Sequence, residues 1–444
     1  MILEVLRKDR KGMLDEELKD EEEAKEEERR NKTSGGFVKG VLTGILGTVL
    51  AAVAVIAISV AVTGGRIAII QEGGASKGIR AALSDDVIGK INELIGYIHL
   101  YFYDEVEEEQ LAEGIYSGLL AGVDDKYTEY YTAQEYADLQ ISATQNYYGI
   151  GAALLQDANS MQVTISRVYD GSPAKEAGLK ENDVIVMVEE IESTSMELSE
   201  LVTHIRGEEG TLVHLQVYRE GEDDYLEFDV KRANIDLPTI EHKMLDSSVG
   251  YIHILEFGAP TVKQFEAAAK ELAEQGMQAM ILDVRDNPGG MITAVTGILD
   301  DILPEGTVVY TQDKYGKRQD YTSDGETKME CPIAVLVNGN SASASEILAG
   351  AIRDFDYGTL IGTKTFGKGV VQSIIPLADG DAIKLTTARY FTPKGENIHG
   401  TGIEPDVTLE YEYSGKKKGE YDELKDNQVQ KAMELLNKEI SAQK

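Results

Sequence analysis

Cysteine is nearly absent from this chain. Cys331 is the only one in 444 residues, which excludes an intrachain disulfide framework and argues against a cysteine-based metal site. Histidine is scarce as well. The six (His99, His204, His214, His242, His253 and His399) are scattered, and no pair has metal-ligand spacing, so neither a metal nor another cofactor is implied. Basic charge is in short supply: 43 Lys and Arg against 78 Asp and Glu leave a net charge of −35. Such a surface repels nucleic-acid phosphates and serves solubility. No internal repeat is present. What remains is ordinary for globular protein: 42% hydrophobic residues rule out wholesale disorder, and the length allows two or three domains with cores of their own.

One long apolar run stands out. No charged residue occurs between Lys39 and Arg66, and Val41 to Val62 is almost wholly apolar, enough for the ~20 residues that cross a hydrocarbon core. Arg29, Arg30, Lys32 and Lys39 precede it, while only Arg66 closely follows. The bias predicts a cytoplasmic N-terminus and export of everything from about residue 66. Ser59-Val60-Ala61 has the form of a signal-peptide cleavage site, but the apolar run and the segment before it are too long, so an uncleaved anchor over residues 39–65 is expected. Residues 1–38 read as a charged cytoplasmic tail, rich in runs such as Glu21-Glu22-Glu23.

From Ser84 to Thr144 the pattern is helical. Val87, Ile88, Ile91, Leu94, Ile95 and Ile98 share one helix face behind Ser84-Asp85-Asp86, and Glu107 to Ala121 fits a second helix. Tyr127, Tyr130, Tyr131 and Tyr136 follow as an aromatic link suited to packing. Residues 146–232 change to short strands around small helices: strands at Val163–Val168, Asp183–Val188, Thr211–Tyr218 and Asp223–Val230, a helix at Ser195–Arg206, and a short helix capped by Ser172 with Pro173 in its first position. Residues 233–410 alternate strand and helix, the pattern of an α/β layer. Strands are expected at Gly250–Leu255, Ala279–Val284, Ile333–Val337, Thr359–Gly362, Val370–Pro376 and Ala382–Phe391, with helices at Thr261–Gln275 and Ser345–Arg353. Residues 411–444 read as a charged tail with a terminal helix from Asn427 to Glu439.

The chemistry concentrates between Asn338 and Gln372. A buried strand runs into Asn338-Gly339-Asn340-Ser341-Ala342-Ser343-Ala344-Ser345-Glu346. Ser343 is the candidate nucleophile. Small neighbours let a substrate backbone approach, and a helix start favours a developing oxyanion. Ser341, Ser343 and Ser345 equally suit helix caps, so the serine run alone leaves both readings open. Phe366-Gly367-Lys368-Gly369-Val370-Val371-Gln372 narrows them. A lysine acts as a general base only when neutral, which needs burial away from carboxylates. The neighbours of Lys368 are uncharged, and Gln372 could orient its amine. Asn287-Pro288-Gly289-Gly290 after another buried strand can aim amides at a carbonyl oxygen. With Ser343 as nucleophile, the amides of Ala344 and of Gly289 or Gly290 would make the oxyanion hole. Ser172-Pro173-Ala174-Lys175 matches S-x-x-K, but without S-D-N or K-T-G it is read as chance. Asn31-Lys32-Thr33 has glycosylation spacing but falls on the expected cytoplasmic side.

With these motifs, the chain from about residue 84 to 410 resembles the carboxyl-terminal processing peptidases, or tail-specific proteases. The resemblance implies that Ser343, the middle serine of S-A-S-A-S-E, is the nucleophile, and that Lys368 and Gln372 are the base and its orienting partner. Tyr148-Gly149-Ile150-Gly151 matches the carboxylate-binding loop of the family's PDZ domain, and Gly171-Ser172-Pro173-Ala174 through Ile185 matches that module's core. Backbone amides of such a loop suit a C-terminal carboxylate. Asp286 stands where members often carry a different polar residue. The implied architecture is a mixed α/β and α+β multidomain chain: an N-terminal transmembrane helix, a helical arm (84–144), a PDZ domain (146–232) and an α/β, crotonase-like serine protease domain (233–410). The implied partners are protein substrates with accessible C-terminal tails, the membrane, and a second copy through residues 84–144. The expected activity is that of an extracytoplasmic serine endopeptidase. The alternatives are a non-catalytic PDZ scaffold and a signalling protease gated by its PDZ domain.

Overall fold

The computed structural model describes residues 83–326, 329–416 and 421–443. The expected cytoplasmic tail (1–38) and membrane anchor (39–65) lie outside the described residues. Among the described residues, no helix is long and apolar enough to cross a membrane. Two compact units divide the chain, residues 1–106 and 107–444. In the first, the helix expected from the apolar spacing is α1 (Asp85–Tyr101), whose N-cap Ser84 accepts from the Val87 amide. None of its residues is buried, and Leu94 and Tyr97 on it are exposed.

The second unit begins with α2 (Glu108–Ala121), close to the expected span, and β1 (Glu129–Tyr131), which was not foreseen. Next comes α3 (Ala133–Thr144), opened by a Thr132–Glu135 capping box. Then β2 (Asn146–Gly149), β3 (Ala152–Gln156), β4 (Val163–Val168), α4 (Pro173–Ala177), β5 (Val184–Val188), β6 (Ile191–Glu192), α5 (Leu198–Ile205), β7 (Leu212–Tyr218), β8 (Leu226–Lys231) and β9 (Ala233–Asp236) form a small barrel-like domain. Its main sheet runs β3-β4-β5-β7-β8, while β2 pairs with β9. Alternate residues Val163 and Ile165, and Val213, Leu215 and Val217, point into one core with Leu201 and Ile205 of α5. The short α4 forms as the sequence predicted. Ser172 accepts from the Lys175 amide at 3.2 Å, Pro173 starts the turn, and Gly178 ends it at φ 92°.

The remaining elements build the larger domain: β10 (Ile240–Leu245), β11 (Val249–Ile254), α6 (Thr261–Glu274), β12 (Ala279–Asp283), α7 (Ile292–Ile302), β13 (Gly306–Asp313), β14 (Arg318–Ser323), β15 (Ile333–Val337), α8 (Ala344–Asp354), β16 (Gly358–Gly362), β17 (Val370–Pro376), β18 (Ala382–Phe391), β19 (Val407–Thr408) and α9 (Asn427–Gln443). One sheet runs β10-β11-β12-β15-β16-β19, parallel except at β10. Its central strands are apolar on both faces because both are covered. Ile252, Leu282, Val335 and Leu360 pack under α6, α7 and α8. Tyr251, Ile281, Leu336 and Ile361 pack against Val429 and Leu436 of α9. A second, antiparallel sheet joins β1, β18, β13 and β14, with β17 on β18.

The C-terminal region was expected to be a charged tail with one helix, and the helix is an integral layer of the domain. Its attachment is polar as well as apolar. Asp426, fully buried, accepts from the Gln428 amide at 2.7 Å and from Arg285 Nη1 at 2.7 Å. Arg285, also buried, bonds Asp283 at the end of β12 through Nε at 2.9 Å. One carboxylate therefore caps α9 and neutralises a buried guanidinium. Asp426→Ala is expected to lower unfolding free energy by about 3 kcal/mol, since it removes one of the two carboxylates paired with buried Arg285, leaving Asp283, and removes a cap. Urea titration checks this. An unchanged midpoint would show that Arg285 finds compensation without Asp426.

Candidate active site

Two loops leave the C-terminal ends of neighbouring parallel strands β12 and β15, where α/β sheets place their sites. The β12 loop carries Asp286 to Gly290, and the β15 loop carries Asn338 to Ser343. They are clasped together. The Asp286 carboxylate accepts from the side-chain amides of Asn338 (3.0 Å) and Asn340 (2.8 Å), and those bonds hold it below the usual carboxylate range. Asn287, fully buried, fastens its amide to the Ile254 carbonyl at 2.7 Å, and its own carbonyl receives the Ala342 amide and the Ser345 hydroxyl.

The three serines now separate. Ser341 and Ser345 are fully buried, and their hydroxyls are spent on the carbonyls of Val284 (2.7 Å) and Asn287 (2.9 Å). Ser343 alone is partly open to solvent. Its backbone sits at φ 55°, ψ −112°, a region that costs a non-glycine residue about 1–3 kcal/mol and persists only under several restraints. Those restraints are visible. Its amide donates to Glu346 Oε2 at 3.0 Å, and its carbonyl accepts from the Ile347 amide at 3.0 Å and from the Tyr390 hydroxyl at 3.2 Å.

Glu346 was quoted in the serine motif but given no role by sequence reasoning. It is completely buried and ties the two halves of the site together. Besides Ser343, its carboxylate receives the amides of Gly367 (2.7 Å) and Lys368 (2.8 Å) and the Thr365 hydroxyl (2.6 Å). The glycines flanking Lys368 have their own reason. A Cβ at Gly369 would lie 2.5 Å from the His399 amide nitrogen, and Gly367, at φ 88°, abuts the backbone at Gly402. The lysine sleeve lies too close to residues 398–402 for side chains there.

Lys368 is half-buried, and its ammonium lies 4.9 Å from the centre of the Tyr127 ring. Burial pulls its pKa below the ordinary lysine value, and the charges of Lys384 and Lys126 act in the same direction. Glu346 opposes them. The expectation of a site clear of carboxylates is thus corrected: one is present, but its oxygens are engaged by backbone amides. No hydrogen bond joins the Ser343 hydroxyl to the Lys368 amine among the described residues. Gln372 also differs from expectation. Its amide donates to Thr386 Oγ1 at 3.2 Å, a partner on the adjacent strand. At the proposed oxyanion hole, the Gly289 amide is committed to Asn287 Oδ1 at 2.8 Å, whereas the amides of Gly290 and Ala344 form no hydrogen bond among the described residues. Gly289 is needed for space: a Cβ there would lie 2.7 Å from that of Ser343.

A profile of peptidase family S41 matches residues 248–409, and one of the PDZ domain matches residues 138–231. The carboxyl-terminal-processing protease of Synechocystis sp. is 38% identical over 296 residues, covering 66% of this chain and 69% of that protein. The chain belongs to the carboxyl-terminal processing proteases. The carboxy-terminal processing protease CtpB of Bacillus subtilis is 34% identical over 330 residues, covering 73% of this chain and 68% of its own. A solved photosystem II D1 C-terminal processing protease aligns with TM-score 0.43 and 27% identity over 75% of this chain and 91% of that one.

In this carboxyl-terminal processing serine protease, the PDZ groove is a cavity of about 240 Å³ between β3 and α5. Gly149 and Ile150 of the expected loop line it. Gly151, at φ 78°, makes the turn behind them, where a Cβ would strike Ser172. Tyr148 is half-exposed and outside the lining, because the two-residue period of β2 turns its neighbour Tyr147 inward instead. The Arg206 guanidinium lies 5.5 Å from the Tyr147 ring centre and 3.4 Å from Asp138 of α3. The PDZ domain and the protease family together fit protein substrates that present C-terminal tails.

Because Glu346 takes four hydrogen bonds out of water, Glu346→Gln should be costly despite its matched shape. One acceptor oxygen becomes a donor facing buried N–H groups, with an expected loss of about 3 kcal/mol in unfolding free energy. Equilibrium unfolding measures it, and a variant as stable as the parent would contradict the assignment of Glu346 as the tie.

Proposed function

We propose that this protease is a membrane-anchored, extracytoplasmic endopeptidase that captures C-terminal tails in its PDZ groove and cleaves them with Ser343 as nucleophile and Lys368 as base. The observation that carries the reading is the pairing of a strained, solvent-reachable serine with a half-buried lysine of lowered pKa, both bonded by their amides to one buried carboxylate. Free Lys368 amine takes the Ser343 proton as the oxygen attacks the scissile carbonyl. The oxyanion is met by the amides of Ala344 and Gly290. The C–N bond then breaks, the leaving amine takes the proton from Lys368, and an acyl-enzyme remains. Water attacks next, giving its proton to Lys368; the acyl C–O bond breaks, and Ser343 leaves with that proton, restoring the free amine. Since no hydrogen bond yet joins serine and lysine, substrate binding has to bring them within reach, a common feature of unliganded sites. Gln372 would act from the second strand, through Thr386.

The anchor rests on the apolar run at residues 39–65, and extracytoplasmic placement on the basic residues before it. Pairing of two copies through residues 84–144 is supported by the exposed apolar side chains of α1, among them Ile88, Leu94 and Leu100. A purely scaffolding role has no use for the nucleophile turn and lysine sleeve.

An unstructured peptide with an apolar C-terminus tests the mechanism. Ser343→Ala and Lys368→Ala are expected to lower kcat/KM by at least about 10⁴-fold. Retained cleavage by either variant would overturn the Ser–Lys assignment. The sign of the pH dependence follows from the base. Only neutral Lys368 is active, so kcat/KM should rise with pH through its pKa, and that limb should lie below the ordinary lysine value because burial disfavours the ammonium. A limb at the pKa of a free lysine would contradict the burial argument.

A further inference from the structure

The segment between α2 and β1 is absorbed by neither the PDZ groove nor the nucleophile turn, yet it touches the lysine. Its far end is a strand of the catalytic sheet: β1 pairs with β18, Glu129 opposite Lys384, and Lys384 Nζ bonds Glu129 at 2.7 Å. Tyr130 bonds Asp381 on the same sheet. So anchored, the strap brings Tyr127 against Lys368. The amine of Lys368 lies 4.9 Å from the Tyr127 ring centre, and that of Lys126 lies 4.7 Å from the same ring. Lys126 also stands 5.0 Å from the ring of Phe366, two residues before Lys368. The Tyr127 hydroxyl oxygen is buried and has no hydrogen-bond partner among the described residues. The strap also nears the other strand: Asp125 lies close enough to Thr386, the residue that accepts from Gln372, for that hydroxyl to help lower its pKa.

We propose that the strap from Asp124 to Tyr131 is a working part of the reaction site, with Tyr127 and Lys126 as positioning residues for Lys368. The Tyr127 ring walls its amine from water, and Lys126 sets a like charge on the same ring. The inference rests on the reading of Lys368 as base.

The physical case concerns what keeps an amine uncharged. An aromatic face by itself favours an ammonium. Here the ring is shared with a second cation, whose like charge offsets the attraction while the ring still excludes solvent. Three charged groups bear on Lys368. Lys126 on the strap and Lys384 on β18 favour the neutral amine, and Glu346 on α8 favours the charged one. Glu129 pairs with Lys384 and partly cancels it. His399 lowers the pKa of Asp125 on the strap. Tyr390, buried beside Glu346, stays protonated, since burial and that charge raise its pKa. Lys126 makes no ion pair among the described residues, so its charge is the unmatched one. It is exposed, so its influence passes partly through solvent and is sensitive to salt.

The experiment uses the full chain and the peptide assay above, recording kcat/KM against pH for Lys126→Met, Lys126→Arg, Tyr127→Phe and Tyr127→Ala, each at low and high salt. Lys126→Met is expected to move the acid limb to higher pH, cutting kcat/KM near neutrality about threefold at low salt while leaving the high-pH plateau. Lys126→Arg should restore the parental limb, and high salt should shrink the difference. Tyr127→Ala should move the limb the same way and lower the plateau, with Tyr127→Phe, which keeps the ring, moving it less. A limb that stays in place in Lys126→Met overturns the proposal, and since Lys126 is exposed this variant does not depend on refolding a core. Ser343→Ala and Lys368→Ala run alongside keep the two ideas apart. If both are inactive while the limb of Lys126→Met is unmoved, the strap is wrong and the Ser–Lys reading stands. If either is active, the Ser–Lys reading itself fails.

Discussion

Everything in the catalytic domain that bears on chemistry hangs from one buried carboxylate. Glu346 has no exposure to water, yet its charge is dispersed over three backbone amides and a hydroxyl. Three of those donors belong to the segment Thr365–Lys368 and one to Ser343. Two stretches well separated in the chain are therefore held at a fixed distance by a group that neither could replace. The same bonds keep Ser343 in backbone angles it would otherwise leave. An ion so placed would be costly without full hydrogen bonding. Here the number of donors matches what two carboxylate oxygens can accept.

The sheet explains why such a tie is possible. Parallel strands β12 and β15 are neighbours in register, so the loops at their ends emerge side by side. The Asp286–Asn338–Asn340 clasp and the Asn287 bonds then convert adjacency into a shared scaffold. Opposite faces of those strands need opposite cover: helices α6 to α8 on one side, α9 on the other. The position of α9 is in turn set by Asp426, which joins its first turn to Arg285 in the loop following β12. The chain's end and its reactive loops are thus mechanically connected through a single buried arginine.

Much of this was legible in the sequence where local rules dominate. Ser172-Pro173 followed by Gly178 specifies a capped short helix whatever surrounds it. The unbroken apolar runs at 279–282 and 333–337 specify strands buried on both faces. Glycines beside Lys368 and in Asn287-Pro288-Gly289-Gly290 signalled close backbone approach, and that is what they provide. The hairpin of β13 and β14 escaped notice because its outer residues carry little apolar alternation, Tyr310 and Thr311 half-exposed and Gln312 exposed. Strand β1 escaped because three residues among tyrosines have no period of their own. The partner of Gln372 was misplaced because a strand's side-chain direction depends on register with β18, which includes a bulge at Val371–Gln372. Tyr147 rather than Tyr148 lines the cavity, since one residue along a strand reverses the face.

By itself, then, the sequence determined the capped helices, the buried central strands, the close-approach glycines and the candidate nucleophile and base, because these follow from side-chain size, periodicity and the short-range geometry of turns. Only the tertiary structure decided which of three serines is open, which amides are already spent, and which charges surround the lysine. Those questions turn on through-space distances between residues far apart in the chain: Glu346 to Lys368, Tyr127 to Lys368, Arg285 to Asp426. Burial and electrostatics act across such distances with no regard for sequence order, and the packed fold alone sets them.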